Sequence, residues 1–365
     1  VGLLANALAI PWVTLVVTPL AMLGVLVPVL WDVAAAAIGG LSVYLQWLAA
    51  WSWASVSVAV PPLWAGAAGV LGGVLLVLPW GLRMRVLGLP LLLPVLLWRA
   101  PLPPAGQFEL LAADVGQGNA VLVRTATHAL LYDAGPRYSL ESDAGHRVLV
   151  PLLQALHTRL DTLVLSHRDM DHVGGAPAVL AMQPQAQLLS SIEASHPLQA
   201  LRTAQRCVAG QRWDWDGVRF EVLHPQATDY DTAAKSNAMS CVLRISNGVQ
   251  SALLAGDIEQ AQEARLIAQG AALQADVLLV PHHGSKTSSS AAFLDAVAPR
   301  TGIVQSGYRN RFGHPAPPVV ERLQERKIHV VDSPHCGAYT WQSWQPQNSA
   351  CLRLQGQRYW HHNVP

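Results

Sequence analysis

Charge is what this 365-residue sequence has least of. Only 13% of its residues are Asp, Glu, Lys or Arg, against roughly 25% in an ordinary soluble chain. The deficit is local. Across residues 1–98 the charged side chains are Asp32, Arg83 and Arg85, whereas from Gln107 onward charge is ordinary. The first part is therefore built to meet lipid and the second to meet water. The net charge is +1, so no overall field favours a polyanion, and a nucleic-acid surface has to be a local patch. The four cysteines, Cys207, Cys241, Cys336 and Cys351, include no CxxC pair, which removes zinc-ribbon and thioredoxin-type sites. Scattered buried thiols are expected, with a disulfide only if the domain faces an oxidising compartment. An initiator Met and a basic n-region with a cleavage site are both lacking. The start does not read as a signal peptide, and the chain is expected to be part of a longer membrane protein.

Long apolar runs fill the first part. A spanning helix needs about 20 apolar residues, and residues 3–30 supply them, with Pro11, Pro19 and Pro28 inside. Residues 63–80 form a second run and 87–98 a shorter third. In 41–60, Trp47, Trp51 and Trp53 alternate with Ser42, Gln46, Ser52, Ser55 and Ser57. That pattern fits either a helix lying in the membrane interface or a weakly hydrophobic span. Arg83 and Arg85 mark a loop that the positive-inside rule assigns to the cytoplasm. The third run then carries the chain outward, so a multi-pass protein of the cytoplasmic membrane is expected, with its second half outside. Pro101, Pro103, Pro104 and Gly106 break the chain, separating a membrane part, 1–104, from a second domain, 107–365.

In the second domain, runs at 108–115, 120–124 and 129–133 read as consecutive strands between turn residues. Residues 148–157 read as a helix and 162–166 as a buried strand. Further strands are expected at 218–223, 241–245, 251–255, 276–280 and 328–331, and helices at 259–268 and 317–327. Strands in runs, then strands alternating with helices, suggest an α/β fold with two sheets inside and helices outside, an αββα sandwich.

The chemistry concentrates in Ser166-His167-Arg168-Asp169-Met170-Asp171-His172-Val173-Gly174-Gly175. His167, Asp169, Asp171 and His172 are potential ligands on a loop at a strand end. Carboxylates this close repel each other and raise a pKa unless a cation lies between them. A metal pair resolves the conflict and suits phosphate-ester hydrolysis. The plainer alternative is a solvated turn before a glycine-led helix start.

His-x-Asp-x-Asp-His-x-Gly-Gly resembles the signature of metallo-β-lactamase-fold hydrolases, with Asp169 where most members carry a third His. The Asp variant resembles the C-terminal domain of ComEC-type channels, which bring DNA into competent bacteria. Asp114-Val115-Gly116-Gln117-Gly118-Asn119-Ala120 is similar to that family's DVGQGDA segment, with Asn119 in place of its Asp. Leu131-Tyr132-Asp133-Ala134-Gly135 fits the next strand end, and Leu254-Ala255-Gly256-Asp257-Ile258 the GD motif. Val280-Pro281-His282-His283-Gly284-Ser285 is similar to the HHGS motif, and Arg311-Phe312-Gly313-His314-Pro315 to a late YGHP-like one. The apolar half resembles the closing helices of the channel domain.

The resemblance implies a metallo-β-lactamase-like sandwich preceded by transmembrane helices. It implies a membrane-anchored metal-dependent hydrolase, a nuclease or phosphodiesterase that degrades one strand of incoming DNA while the other passes through the channel as a single strand in transit. The bilayer and other proteins of the competence machinery are the implied partners. His167 and Asp169 would hold a first metal and Asp171 and His172 a second, with Asp257 bridging them. His282 would complete the ligand set and His283 stabilise the leaving oxygen, or the reverse. Asn237, in Ser236-Asn237-Ala238-Met239-Ser240, would lie near the first metal. Asp171, Asp257, His283, Gln117 and His314 are the residues implied in catalysis, and a water between the ions is the expected nucleophile. Hard oxygen ligands favour two Mn²⁺ ions, with Zn²⁺ or Mg²⁺ as alternatives.

Plainer readings stay open. Asp257 suits a helix cap, His314 a loop, Gln117 a turn, and Asp114 and Asp133 turn amides. Asn119 leaves in doubt any role needing a carboxylate there. Arg309, Arg311 and Lys286 fit phosphate contacts or a solvated face. Trp213 and Trp215, expected on a loop, fit base stacking or packing. His128, His146, His157, His196, His224, His329, His335, His361 and His362 have no motif context. Two other functions remain: a DNA-binding module that has lost catalysis, and a metallo-hydrolase of another ester or amide.

Overall fold

The computed structural model describes residues 1–51, 54, 56–232, 235–360 and 364. Ser52, Trp53, Ser55, His361 and His362 lie outside the described residues. The chain divides into two compact units, Val1–Val58 and Ala59–Pro365.

In the first unit, Gly2–Leu23 and Val29–Ala49 are helices of 22 and 21 residues, each long and apolar enough to cross a membrane. The single span expected over 3–30 is therefore two helices. Gly24 and Pro28 account for the break, because glycine is a poor helix former and proline disfavours helix in the residue before it. The first helix widens to a π-type turn at Val13–Val17, where Thr18 N donates to Val13 O just before Pro19, whose missing N–H removes the next rung to Leu15. The Trp12 and Trp31 indoles donate to Ala37 O and Ala21 O, each at 3.0 Å. The separate helix expected over 41–60 is corrected: its first residues, Trp47 included, finish the helix Val29–Ala49.

The second unit opens with Leu63–Val77, a shorter apolar helix of 15 residues. It packs on Gly88–Leu96, and a side chain on Gly72 or Gly88 would strike the other's carbonyl oxygen. The run expected over 87–98 is thus a nine-residue helix interrupted by Pro94. The proline-rich break is tied down. Gly106 N donates to Asp216 O (2.7 Å) and Asn247 Nδ2 to Gly106 O (3.0 Å).

The rest is the expected αββα sandwich. The first sheet runs in the order Ala350–Cys351, Tyr339–Gln342, Glu109–Ala112, Val121–Arg124, Ala129–Tyr132, Thr162–Leu165, Gln187–Ser190 and Ala204–Arg206. The second runs His329–Asp332, Thr301–Val304, Val277–Leu279, Ser251–Leu254, Val242–Ser246, Val218–His224 and Arg212–Trp215. Alternation along each strand sends one set of side chains inward, among them Phe108, Tyr132, Val164, Phe220 and Leu254. The other set lies under the outer helices. Leu163 and Leu165 meet Val150–Ala155 and Ala176–Met182, and Leu253 and Leu278 meet Gln260–Ala268, Ala291–Val297 and Pro317–Glu325. Strands buried on both faces read as continuous apolar runs, which is why the central ones stand out in the sequence.

Two expectations are corrected here. Trp213 and Trp215 lie on an edge strand, not a loop. The cysteines are not free thiols: Cys207 pairs with Cys241 and Cys336 with Cys351. The first bond joins the two sheets where Cys241 enters the inner core.

Candidate metal centre

The site is assembled at the carboxyl ends of neighbouring strands. Thr162–Leu165 ends in Ser166 and His167, and Asp169 begins the one-turn helix Met170–Val173 that carries Asp171 and His172. Ser251–Leu254 of the other sheet ends two residues before Gly256 and Asp257. Val277–Leu279 delivers His282 and His283, which both adopt left-handed backbone, at φ 54° and 55°. Left-handed backbone costs a non-glycine residue on the order of 1–3 kcal/mol, and here it turns both imidazoles back toward Asp257. Gly118 lets the loop after Asp114 close on the motif: a side chain there would strike Asp171 O, and the Asn119 N–H donates to that same oxygen (3.2 Å).

The predicted residues converge. His172 Nε2 stands 3.3 Å from Asp257 Oδ1 and 3.9 Å from Asp171 Oδ1. His283 Nε2 stands 3.2 Å from Asp171 Oδ2 and 3.5 Å from Asp257 Oδ2. His167 Nε2 is 3.5 Å from Asp169 Oδ2. Two groups of ligand atoms lie within 4.8 Å of one another: His167, His172 and Asp257, and Asp171, His172 and His283. His282 Nε2 is 3.8 Å from Asp257 Oδ2 and 3.3 Å from Asn237 Nδ2, so Asn237 reaches the cluster through His282.

Behind these atoms is a shell that fixes them. Asp133 is buried and accepts from Ser166 N (2.6 Å), Ser166 Oγ (2.8 Å) and His172 Nδ1 (2.8 Å). The His172 Nδ1–H is thereby committed outward and Nε2 is left facing Asp257. His283 Nδ1 donates to Gln305 O (2.8 Å) with the same effect. The Gln305 side chain donates to Ala113 O and Ala120 O and accepts from Ala120 N, which locks the second sheet to the first at the site. Ser240 Oγ accepts from Asp257 N (3.0 Å).

The electrostatics are those of a site that wants a cation. Burial alone would raise the Asp257 carboxyl, but His172 and His283 hold it well below the usual carboxylate range. Burial would lower the His172 imidazole, but Asp257 and Asp133 push it well up. Against its own burial, the Asp171 carboxyl is drawn down to about 2 by the hydrogen bond from His283 and by the charges of His172 and His283. Meanwhile His167 Nε2, His172 Nε2 and Asp257 Oδ1 are buried without a hydrogen bond. Such orphaned atoms are rare in folded proteins. Imidazole nitrogens and carboxylate oxygens converging this way fit divalent metal ions.

At the rim, His314 packs its ring 5.8 Å from His282 and 6.2 Å from His283. Burial, then the charges of His283 and His282, lower its pKa to about 4. Its loop is held by Asn310, which bonds Gly307 O, His314 O and His314 N. Gln117 Oε1 accepts from Gly307 N (3.1 Å), tying the glycine-rich turn to the same loop. Arg309 and Arg311 lie over Tyr308 and Phe312. Asp114 pairs with Arg353 instead of joining the cluster, and Trp213 and Trp215 are packed against the inner core. His128, His146, His224 and His335 have ordinary local partners. Sequence reasoning missed Gln305 and Asn310, which carry no motif, and read Asp133 as a turn residue.

A sandwich of this topology, with ligand-type side chains at the strand ends of both sheets, defines a metallo-hydrolase scaffold. Residues 113–307, more than half of the chain, match the metallo-beta-lactamase superfamily, and the chain belongs to it. Residues 1–83 match the competence-protein family, so a competence segment is joined to a metallo-beta-lactamase domain. The chain is 38% identical over 340 residues to the competence protein ComA of Neisseria gonorrhoeae, covering 92% of this chain and 47% of that protein. It is 36% identical over 242 residues to recombination protein 2 of Haemophilus influenzae, covering 66% of this chain and 29% of that protein. It therefore spans less than half the length of either relative. Among solved structures, the metallo-beta-lactamase fold protein YhfI of Bacillus subtilis is 14% identical with a TM-score of 0.41, covering 65% of this chain and 99% of that one.

Proposed function

We propose that this chain is the membrane-held part of a DNA-uptake protein and that its domain 107–365 is a metal-dependent phosphodiesterase, cutting one strand of incoming DNA while the other passes through the membrane. The observation that carries the reading is the convergence of three buried, unpartnered ligand atoms, on His167, His172 and Asp257, beside Asp171 and His283. Two divalent ions, Mn²⁺ before Zn²⁺ or Mg²⁺, would supply positive charge and lower the pKa of the attacking water. His167, Asp169 and Asn237 form the first side of the site, Asp171 and His172 the second, and Asp257 faces both. Of the tandem pair, His283 is the better ligand, because Gln305 O fixes its Nδ1–H and frees Nε2. His282 then takes the outer role, one of the two divisions that the resemblance leaves open. His314 has a buried Nδ1 with no partner and stands at the rim, where it suits a hydrogen bond that orients the substrate or its leaving oxygen. Gln117 positions the loop that carries it. Intact ligands argue against an inactive module, although Asn119 lacks the family's carboxylate.

Two disulfides support a domain on the extracytoplasmic side, since such bonds persist in oxidising compartments. The bilayer, the DNA strand and other competence proteins are the partners this reading entails.

The test uses the whole chain in nanodiscs with end-labelled single- and double-stranded DNA. Mn²⁺, Mg²⁺, Zn²⁺ or EDTA is added, beside an Asp171→Ala/His172→Ala variant. Metal-dependent cutting that the variant loses is expected. Cutting that survives EDTA or the substitutions sinks the reading. Bound metal without cutting points to another ester or amide, and neither metal nor cutting to an inactive DNA-binding module.

A further inference from the structure

A cleft of about 640 Å³ opens between the two sheets, lined among others by Thr162, Gln187, Gln205, Trp213 and Trp215. It lies away from the metal site. Thr162 begins the strand that leads into His167, and five residues of strand at about 3.3 Å each put the two ends roughly 16 Å apart. The volume falls within the roughly 300–1,000 Å³ of small-molecule sites.

Its lining breaks the pattern that builds the core. Thr162 pairs with Gln187 and Leu189 with Gln205, so these side chains share a face with Val164 and Leu189, which lie in the core between the sheets. Positions that should carry core residues carry a hydroxyl and two amides instead. The Gln187 and Gln205 side chains make no hydrogen bond to any described residue. Opposite them, Trp213 and Trp215 stand on the edge strand of the second sheet. Trp213 stacks on Phe220, with ring centroids 5.3 Å apart and planes 5° from parallel. Its strand is the edge of the second sheet among the described residues, and Trp213 lines the cleft. The Trp213 Nε1–H is buried and unpartnered.

Charge in the cleft is nearly balanced. Asp161 contributes a carboxylate, and Arg212 is already engaged by Glu221 at 2.9 and 2.5 Å. A polyanion would find no free cation there. An aromatic platform takes the C–H face of a ring, while unpaired amides, a hydroxyl and a carboxylate both donate to and accept from hydroxyl groups. We infer that this inter-sheet cleft binds a neutral oligosaccharide, one sugar ring lying on Trp213 with its hydroxyls met by Gln187, Gln205, Thr162 and Asp161. This site is independent of the metal chemistry.

The test is saturation-transfer NMR on the whole chain in phosphatidylcholine nanodiscs, which bring no sugar detergent. Maltotriose, chitotriose and a ten-residue oligothymidylate are offered separately. At least one trisaccharide is expected to show transfer, weakened tenfold or more by Gln187→Ala/Gln205→Ala. Those side chains are exposed, so the thermal melting temperature and metal-dependent hydrolysis should not move. A Trp213→Leu variant should lose the signal as well. Absence of transfer to either sugar, or transfer unchanged in the double variant, overturns the proposal. Oligothymidylate binding without sugar binding, lost in the double variant, also overturns it and hands the cleft to nucleobases.

Discussion

Asp133 has a left-handed backbone, φ 59°, at the end of a buried strand, and its carboxylate accepts from Ser166 and from His172 Nδ1. An Asn there tolerates the same backbone and keeps the volume, but it loses the charge and one acceptor. Groups that orient metal-binding imidazoles typically change metal affinity about 10–100-fold when replaced. Asp133→Asn is therefore expected to weaken Mn²⁺ binding by about that factor, measured by calorimetric titration of the nanodisc-held chain. Equal affinity in the two proteins would show that Asp133 only holds the turn together. Sequence could not separate these roles, because an Asp that ends a strand looks the same whether it faces a backbone amide or an imidazole 39 residues away.

Between Thr301–Val304 and Pro317–Glu325 the chain has no regular structure, yet the loop at 305–316 is internally braced. Asn310 Oδ1 accepts from Phe312 N (3.2 Å) and His314 N (2.9 Å), and Nδ2 donates to Gly307 O (2.9 Å) and His314 O (2.5 Å). This single side chain holds His314 against His282 and His283. Removing it in Asn310→Ala leaves the sheets and the metal cluster untouched, and misplacing a reacting group by about 1 Å costs on the order of 100-fold in rate. The expected result is a kcat lowered by about that factor, with metal affinity and melting temperature close to wild type. A parallel loss of metal would instead make the loop part of the ligand scaffold. The same scale explains what the sequence made legible. Thr162–Leu165 and Ser251–Leu254, buried on both faces, were read to within a residue or two. Ala204–Arg206 and Arg212–Trp215 carry no such signature, being short edge strands with polar residues, and the interior strands Gln187–Ser190 and Thr301–Val304 escape the pattern too, because polar or glycine positions interrupt their four residues. The break at 24–28 was hidden by uniform hydrophobicity on both sides, where composition says lipid but not where one helix stops.

At the scale of the molecule, the extracytoplasmic placement proposed for the domain rests on two arguments. The first is the positive-inside rule applied to Arg83 and Arg85, which stand on the short helix Leu82–Val86 and not on the loop expected from sequence. The cysteine pairs argue independently. Cys336 ends the one-turn helix Ser333–Cys336 and is bonded to Cys351 on the edge strand of the first sheet, while Cys207 and Cys241 join the two sheets, and all four thiols are consumed. A reducing cytosol would leave them as thiols. Cells expressing the chain, trapped in acid and then denatured, are therefore expected to yield protein that takes up no maleimide-polyethylene glycol until a reductant is added. Reduction should then give four additions on a gel, matching the four cysteines of the sequence. Four additions before reduction would mean that the domain is held in the cytosol. The metal centre would then meet DNA only after its passage through the membrane, contrary to the extracytoplasmic cutting proposed for this domain.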